Sequence, residues 1–376
     1  MSATHITRLA LTDFRSYRWL ELTPGAGSVA LLGPNGAGKT NILEAISLLG
    51  PGRGLRRAEV STLKTINGSG TGWGVVGTVQ QGSGQHQLAT ARASSDDGTD
   101  KRTAQIDGNN ASLSALGDFL PLSWLTPDMD RLLGAERGDK RRFFDRLVSS
   151  FDPAHTGRLA RYDKLARERL QILINGPQDE AWLATLESDM AEAAVAIAAG
   201  RLALAGALNE RAPAIAGQFP VVRIAFAEGP EAWLAHDPSL VIEERLKDAF
   251  RASRPRDRRT ETTEAGPARS DFTAFYVAKN MPADLCSTGE QKALLITLLM
   301  AHAALVAEMR GVTPVLLLDE VASHLDAGRR QALYGTLHAL GCQVWMTGTE
   351  IDLFRPFPGP LTCYEIGPGN ARIVSK

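Results

Sequence analysis

An α/β fold interrupted by a helical insertion is predicted from three observations on the 376-residue chain. A glycine-rich segment, residues 33–40, lies between a short apolar run and a stretch with helical spacing. A second apolar run, residues 315–318, ends in two acids and has the composition of a strand at the centre of a parallel sheet. Residues 126–254 instead combine alanine, leucine, arginine and glutamate with helical spacing. The sequence therefore predicts a strand-and-helix core whose halves are separated by a lobe of helices.

The glycine-rich segment, which we call the phosphate loop, fits the pattern G-x-x-x-x-G-K-[ST]. Glycines let backbone N–H groups turn inward around phosphates, and the helix that follows favours an anion at its N-terminus. Lys39 is expected to reach the β and γ phosphates, and the Thr40 hydroxyl to complete the oxygen shell of a Mg²⁺ ion. A turn that only caps a helix is the alternative, and the strand before it and the helix after it argue against that. The predicted nucleotide-binding residues are Gly33, Asn35, Gly36, Ala37, Gly38, Lys39, Thr40 and Asn41.

The acid pair at the end of the second apolar run is Asp319 and Glu320. Two adjacent carboxylates repel each other unless a cation or a proton separates their roles. Phosphoryl transfer depends on positioning and on charge neutralisation, so Asp319 is assigned to Mg²⁺ through water and Glu320 to polarising the attacking water. An acid that merely ends a strand at a sheet edge is the alternative. Paired with the phosphate loop, the motif makes Lys39, Asp319 and Glu320 the predicted catalytic residues.

A third motif, Ser287-Thr288-Gly289-Glu290, precedes a helical stretch. A serine at a helix start offers a hydroxyl and free N–H groups that can bind a γ phosphate, although such a motif alone is usually a helix cap. The chain's own phosphate loop lies elsewhere, so the partner would be ATP held by a second copy in a two-fold dimer. With the other two motifs, and with Ser323-His324-Leu325-Asp326 after them, it resembles the signature of the ATP-binding-cassette (ABC) superfamily.

Further segments resemble particular groups of ATPases within this superfamily. The opening residues 9–17 and the run 41–45 resemble the heads of chromosome-maintenance and repair ATPases. Three segments resemble the RecF family of bacterial recombination and repair proteins, in a likeness that runs from about Leu9 to about Thr349. They are Leu125-Thr126-Pro127-Asp128, Arg141-Arg142-Phe143-Phe144-Asp145 and Gly266-Pro267-Ala268-Arg269-Ser270-Asp271.

This resemblance implies an ABC-type P-loop ATPase head formed by residues 1–125 and 255–376, with residues 126–254 as an inserted helical lobe. It implies that Arg15 contacts the nucleotide, that Ser287, Thr288, Gly289 and Glu290 act in trans on the γ phosphate, and that Asp326 links the two sites. It implies a weak, DNA-stimulated ATPase that forms an ATP-dependent homodimer. The implied partners are double-stranded DNA near gaps and single-strand/double-strand junctions, with RecR, RecO and RecA.

The chain departs from these patterns at three places. No histidine follows the last core strand, where the chain reads Val344-Trp345-Met346-Thr347-Gly348-Thr349, so slow turnover is expected. No glutamine-bearing loop is evident, and Thr126 or Asp128 would have to take its place. Ala268 stands where the resemblance predicts a histidine.

Charge and composition limit the partners. The net charge of −1 gives no general sign of a nucleic-acid binder, so DNA affinity must come from local basic residues. The candidates are Arg141, Arg142, Arg254, Arg256 and Arg258, although a solvated helix face explains the first two equally well. Arginines without interleaved aromatics favour contact with duplex phosphates over stacking on single-stranded bases. Residues 252–268 are expected to form an exposed, mobile linker.

The remaining features favour a cytoplasmic protein. Three widely spaced cysteines indicate reduced, buried thiols. No secretion signal is seen. The longest uncharged apolar stretch, residues 293–307, is too short for a membrane span of about 20 residues. Two other classes stay open: the nucleotide-binding subunit of an ABC transporter, and a static scaffold that binds ATP without turnover. The intact Glu320 argues against the scaffold.

Overall fold

The computed structural model describes residues 2–66, 72–94, 100–176 and 179–374. Contacts divide the chain into two compact units. Unit 1 comprises residues 1–130, 215–219 and 299–376, and unit 2 comprises residues 131–214 and 220–298. The predicted division into head and lobe, with boundaries after residues 125 and 254, stays a prediction.

The elements follow one another as short strands, then long helices, then strands and helices in alternation. The strands are β1 (Thr4–Phe14), β2 (Tyr17–Leu22), β3 (Ser28–Leu32), β4 (Gly74–Gln81), β5 (Gly84–Ser94), β6 (Asp100–Ile106), β7 (Asn109–Ala111), β8 (Leu122–Leu125), β9 (Val222–Ala225), β10 (Thr273–Tyr276), β11 (Met281–Pro282), β12 (Val315–Leu318), β13 (Val344–Gly348), β14 (Leu361–Gly367) and β15 (Asn370–Val374). The helices are α1 (Lys39–Ser47), α2 (Leu116–Phe119), α3 (Arg137–Phe151), α4 (Ala154–Asn175), α5 (Glu180–Ile215), α6 (Pro230–Leu234), α7 (Ser239–Thr260), α8 (Thr288–Arg310) and α9 (Ala327–Ala339).

Unit 1 is built on a central sheet of strand order β15-β14-β3-β13-β12-β8, in which every pairing except that of β14 with β15 is parallel. Strands β3, β8, β12 and β13 are buried along their whole length, as expected of strands covered on both faces. Parallel strands end at one edge of the sheet, so the segments that follow β3 and β12 meet the end of β13 there. This edge carries the candidate site.

A second sheet of unit 1 is antiparallel, with strand order β2-β1-β4-β5-β6-β7. From β6, the Arg102 guanidinium donates to the carbonyls of Leu48, Gly50 and Gly52, which follow the C-terminal end of α1. Burial lowers the pKa of Arg102 to about 10. A cation is favourable at a helix C-terminus, where unpaired carbonyls carry partial negative charge, so Arg102 ties the far end of α1 to this sheet.

Unit 2 contains helices α3 to α7 and a three-stranded sheet of order β11-β10-β9. Its main hydrophobic cluster joins α4, α5 and α7 through Tyr162, Met190, Ile197, Leu246 and Phe250. The helices that the sequence predicts over much of this region are therefore present.

The predicted mobile linker over residues 252–268 is wrong for its first half, because α7 continues to Thr260. Asp257 points into the protein, where its carboxylate accepts hydrogen bonds from Arg169, Ser253 and the Glu264 N–H. Pro255 lies on the exposed face of the helix. The many arginines, threonines and acids of this stretch are typical of a linker, but they also suit the solvated face of a helix.

Two buried arginines organise unit 2. Arg169 donates to Glu187 at 2.8 Å, to Asp257 at 2.7 Å and to the Phe250 carbonyl at 2.6 Å. Its side chain is 0% exposed. Because a buried charge without partners is very costly, each of these contacts fixes one helix against another.

The second arginine, Arg201 on α5, donates to both carboxylate oxygens of Asp145, at 2.7 and 2.8 Å, and to Glu231 at 2.7 Å. Its Nη1 also donates to the Pro267 carbonyl at 2.9 Å. Although burial acts in the opposite direction, hydrogen bonds from His155 and Arg201 lower the pKa of Asp145. Arg201 thereby joins α3, α5 and α6 to the segment at Pro267.

Two helices, α5 and α8, are long and apolar enough to cross a membrane by length and composition alone. The apolar window of α8 is mostly buried inside the protein, and half of the α5 window is buried. The sequence expectation considered residues 293–307 alone and therefore underestimated both helices. A core helix of a soluble protein has the same composition, so this finding is weak evidence for a membrane. The three cysteines are buried thiols, as predicted.

We predict that Arg201→Met lowers the free energy of unfolding by about 3–5 kcal/mol, because Asp145 and Glu231 would remain buried without their cation. Arg161 is the matched control, since its ion pair with Glu192 is exposed on both sides. Arg161→Met should cost less than about 1 kcal/mol. Urea denaturation followed by circular dichroism measures both, and equal losses would contradict the role given to Arg201.

Candidate nucleotide site

Two glycines of the phosphate loop, Gly33 and Gly38, leave no space for a side chain. Gly33 has φ +146°, and a Cβ there would lie 2.7 Å from the Ile366 carbonyl oxygen. Gly38 has φ +106°, and a Cβ there would lie 2.5 Å from the Tyr17 hydroxyl oxygen. Helix α1 begins directly after Gly38, and its first N–H groups have no acceptor within the helix. The tip of the loop, from Pro34 to Gly36, is exposed.

Lys39 is buried, and its ammonium donates to two carbonyls of its own loop, Gly33 at 2.6 Å and Pro34 at 2.9 Å. Burial lowers the pKa of Lys39, against the opposing effect of Glu320 and Asp319. A buried ammonium group that donates its hydrogen bonds to neutral carbonyls would gain a stronger acceptor in a phosphate oxygen. The residues of the loop therefore fit a nucleotide phosphate.

Asp319 lies at the end of β12 between two hydroxyl groups. Thr40 donates to its carboxylate at 3.0 and 3.1 Å, and Thr347 donates to it at 2.7 Å. Burial raises the pKa of Asp319, and the two hydroxyls only partly oppose that shift. A carboxylate and a hydroxyl are the hard oxygen donors that Mg²⁺ prefers, so Thr40 and Asp319 fit the metal that accompanies a nucleotide.

Glu320 is strained. Its φ is +54°, in the left-handed region that a residue other than glycine enters at a cost of about 1–3 kcal/mol. Its N–H donates to the Thr347 hydroxyl at 2.8 Å, which holds the backbone in that conformation. Such strain is concentrated at functional sites, in agreement with the chemical role assigned to Glu320.

Thr347 is one of two residues of this site that the sequence motifs do not reveal. It is 0% exposed at the end of β13, the strand between β3 and β12 in the central sheet. The sequence offered one signal: a hydroxyl residue in an otherwise apolar strand, at the point where transporter ATPases continue to a histidine.

Arg15 is bound to α1. Its guanidinium forms two hydrogen bonds of 2.8 Å with the two carboxylate oxygens of Glu44, which is 2% exposed. Arg56 donates to Glu44 at 3.3 Å and to the Asn41 side-chain oxygen at 2.8 Å, and Asn41 donates to Ser16 at 3.0 Å. The contact of Arg15 with a nucleotide stays a prediction. Glu44 was missed, although an acid one turn after Thr40 in an apolar helix could have been noticed.

Thr126 and Asp128, the predicted substitutes for the glutamine loop, follow β8. Thr126 is buried and Asp128 is exposed. Because β8 pairs with β12 in parallel, Thr126 follows its strand at the same edge of the sheet as Asp319.

The signature motif forms a capping box at the start of α8 in unit 2. The Ser287 hydroxyl and N–H both donate to Glu290, at 2.8 and 2.9 Å, and the Glu290 N–H donates back to the hydroxyl at 3.4 Å. An ion pair with Lys279 and the bonds from Ser287 lower the pKa of Glu290 to about 2. Ser287, Thr288 and Gly289 are exposed. The motif is thus rigid and accessible, and its action in trans stays a prediction.

Asp326, the predicted dimer link, is the N-cap of α9 and accepts a hydrogen bond of 2.9 Å from the Arg329 N–H. Its side chain is largely exposed. The link between two sites stays a prediction.

The five arginines proposed for DNA contact differ in their surroundings. Arg141 is partly buried, and its pKa is lowered by that burial and by Arg201, while Arg142 is bonded to Asp139. Arg254 donates to both oxygens of Glu187, at 2.9 and 2.8 Å, and to Glu180 at 2.6 Å. Arg256 is exposed and forms an ion pair with Glu264 at 3.7 Å, so that Arg258 is the one exposed arginine of these five without an ion pair to another described residue.

Comparison with known proteins identifies the family. The model of the RecF/RecN/SMC N terminal domain matches residues 5–355. The DNA replication and repair protein RecF of Mesorhizobium japonicum is 44% identical over 360 residues, which cover 95% of this chain and 94% of that protein. The RecF protein of Brucella suis is 43% identical over 370 residues, with 97% and 95% covered.

Solved structures share the fold. The structure of the recombination mediator protein RecF-ATPrS in the RecFOR pathway aligns with a TM-score of 0.85 at 22% identity, covering 99% of this chain and 98% of that one. The Smc head domain from Pyrococcus furiosus aligns at 0.53 and 16% identity, covering 99% and 96%. Phosphate loop, acid pair and central sheet together define an ABC-type ATPase head, the class that the sequence predicted. Within that class, the chain belongs to the RecF family.

We predict that Asp319→Asn raises the melting temperature of the nucleotide-free protein. The folded-state pKa of Asp319 lies above its ordinary value, so at neutral pH the folded state carries a cost for keeping this carboxylate ionised. An uncharged amide removes that cost. The difference between the two proteins should shrink as the pH falls through the raised folded-state pKa and disappear below the unfolded pKa of about 3.9, where the carboxyl is protonated in both states.

Thermal unfolding in EDTA between pH 4 and 8 measures the effect of Asp319→Asn. A lower melting temperature for the variant at pH 7.5 would contradict the cost assigned to the buried charge.

Proposed function

We propose that this chain is a cytoplasmic, ATP-dependent DNA-binding protein of recombinational repair and replication. The observation that carries the proposal is the buried Asp319, which is hydrogen-bonded to Thr40 of the phosphate loop. This contact joins the two motifs that phosphoryl transfer requires. The names of the relatives, DNA replication and repair protein RecF, support the biological setting. These names favour a DNA-repair protein over the nucleotide-binding subunit of an ABC transporter.

In the proposed reaction the phosphate loop and Lys39 bind the ATP phosphates, while Thr40 and Asp319 hold the Mg²⁺ ion. Bound Mg²⁺ would neutralise charge on the phosphates. Glu320, fixed by its N–H bond to Thr347, accepts a hydrogen bond from water and polarises it for attack. No histidine follows β13, so we expect weak turnover, stimulated by DNA as in the implied family.

We further propose that ATP induces a homodimer. The exposed residues Ser287–Gly289 present the N–H groups of the α8 N-terminus, which suit a γ phosphate held by the phosphate loop of a second copy, and the Ser287 hydroxyl would turn its proton from Glu290 to that phosphate. Asp326 would link the two composite sites.

The proposed DNA contact lies on the exposed face of α7. Arg251, Arg258 and Arg259 are exposed there, whereas Phe250 and Asp257 of the same helix are buried. Cations on one helix face can contact the phosphates of duplex DNA without reading its sequence. Double-stranded DNA near gaps and junctions, and the partners RecR, RecO and RecA, complete the proposal by family membership.

We predict that dimerisation requires ATP but not its hydrolysis. Glu320→Gln should form an ATP-bound dimer that persists, because water is no longer polarised, whereas Lys39→Ala should stay monomeric. Sedimentation velocity with ATP and Mg²⁺ distinguishes them. Ser287→Arg is the control for the shared site: it should bind ATP and remain monomeric. A dimer of Ser287→Arg would exclude action in trans, and a monomeric Glu320→Gln would exclude the role of Glu320.

For DNA, we predict that the triple change Arg251→Gln, Arg258→Gln and Arg259→Gln flattens the slope of log affinity against log salt. Each phosphate contact contributes about 0.9, so the slope should fall by up to roughly 3 for unrelated duplex sequences. Fluorescence anisotropy at several salt concentrations, with ATP present, measures this.

The matched control for the triple variant is Arg254→Gln on the same helix. The Arg254 guanidinium is bonded to Glu187 and Glu180, so its loss should leave the salt slope unchanged. If the triple variant dimerises with ATP and keeps the full slope, the DNA surface lies elsewhere, with Arg141 and Arg142 as the remaining candidates.

A further inference from the structure

We infer that Thr347 is a positioning residue for ATP hydrolysis, and that its single hydroxyl sets the geometry of both acids of the pair. The inference rests on the proposed ATPase activity. It goes beyond that activity because it assigns a function to the segment after β13, where the sequence shows only the lack of a histidine.

The hydroxyl of Thr347 both accepts and donates a hydrogen bond. Its oxygen accepts the Glu320 N–H at 2.8 Å, and its proton is donated to Asp319 Oδ1 at 2.7 Å. A hydroxyl has one proton to donate, so a donation to Asp319 leaves the oxygen lone pairs for Glu320. The group is 0% exposed, so water does not compete for it.

These two bonds act on different parts of the acid pair. The first fixes the backbone of Glu320, two residues after the end of β12, at φ +54°, a conformation that determines the direction in which its side chain leaves the backbone. The second fixes one oxygen of Asp319, while Thr40 contacts both carboxylate oxygens at 3.0 and 3.1 Å. Loss of the hydroxyl would therefore free the Glu320 backbone and leave Asp319 with Thr40 alone.

The register of the central sheet makes this contact possible. Leu318 pairs with Met346 in the parallel ladder between β12 and β13, so Asp319 and Thr347 each follow a paired residue at the same edge. The backbone pairing of β12 with β13 ends at Leu318, and beyond it the Thr347 hydroxyl connects the two segments by its bonds to Asp319 and Glu320. A side chain that is itself 0% exposed can in this way control the position of both acids of the pair.

The test compares Thr347→Val, which removes the hydroxyl and keeps the branched shape, with Thr347→Ser, which keeps the hydroxyl. Thr313→Val is the matched control. Thr313 is buried near the start of β12, where its hydroxyl accepts the Thr4 N–H at 3.1 Å and donates to the Gly341 carbonyl at 3.3 Å. It therefore makes the same two kinds of bond in the same unit, away from the acid pair.

Three properties are measured on the full chain: the affinity for a fluorescent ATP analogue, the rate of ATP turnover with DNA, and the lifetime of the ATP-bound dimer. Thr347→Val should bind nucleotide nearly as the unaltered protein does, because the phosphate loop is intact. Its turnover should fall about 100-fold, the size of effect expected from misplaced reacting groups. Its dimer should persist like that of Glu320→Gln, while Thr347→Ser should restore turnover and dimer release.

Normal turnover and dimer release by Thr347→Val, with Glu320→Gln inactive, would overturn the inference and leave the proposed ATPase standing. An equal loss of turnover in Thr347→Val and Thr313→Val would also overturn it, since the effect would then be one of general stability. Absence of turnover in the unaltered protein would overturn both the inference and the proposed reaction.

Discussion

The hydrogen-bonded carboxylate of Asp319 is the constraint on which the geometry of the candidate site depends. A charge removed from water is unfavourable unless hydrogen-bond donors surround it. Here the donors come from two different elements, Thr40 on α1 and Thr347 on β13. The position of the carboxylate therefore fixes three elements relative to one another: the strand that carries it, the neighbouring strand and the helix that follows the phosphate loop.

The same edge of the sheet retains several features that reduce the stability of the folded chain. Lys39 is desolvated, Asp319 has a raised pKa, and Glu320 is in a left-handed conformation. Natural sequences depart from locally favourable choices mainly at functional sites. A magnesium nucleotide would supply an anion for Lys39 and a cation for Asp319 at once. Binding to the folded state alone would then also stabilise the fold.

Prediction from sequence succeeded where the signal is local. The phosphate loop, the acid pair and the signature motif are each contained in eight residues or fewer, and their flanking strands and helices were assigned correctly. The site residues Thr347 and Glu44 were missed because their roles depend on partners far along the chain: Thr347 lies 28 residues from Asp319 and Glu44 lies 29 from Arg15. The C-terminal part of α7, from residue 252 to Thr260, was assigned to a linker because Asp257 is stabilised by the distant Arg169, which composition does not reveal.

The error over α7 also changes how the charge of the chain is interpreted. A dense run of arginines was the reason to place DNA there, but helical geometry divides the run. Arg254 faces Glu187 and is neutralised locally, whereas Arg251, Arg258 and Arg259 lie on the solvent side. Long-range attraction of a polyanion depends on cations that are not already paired. In a chain with net charge −1, the pairing of each arginine is therefore a better guide to a DNA surface than the density of arginines in the sequence.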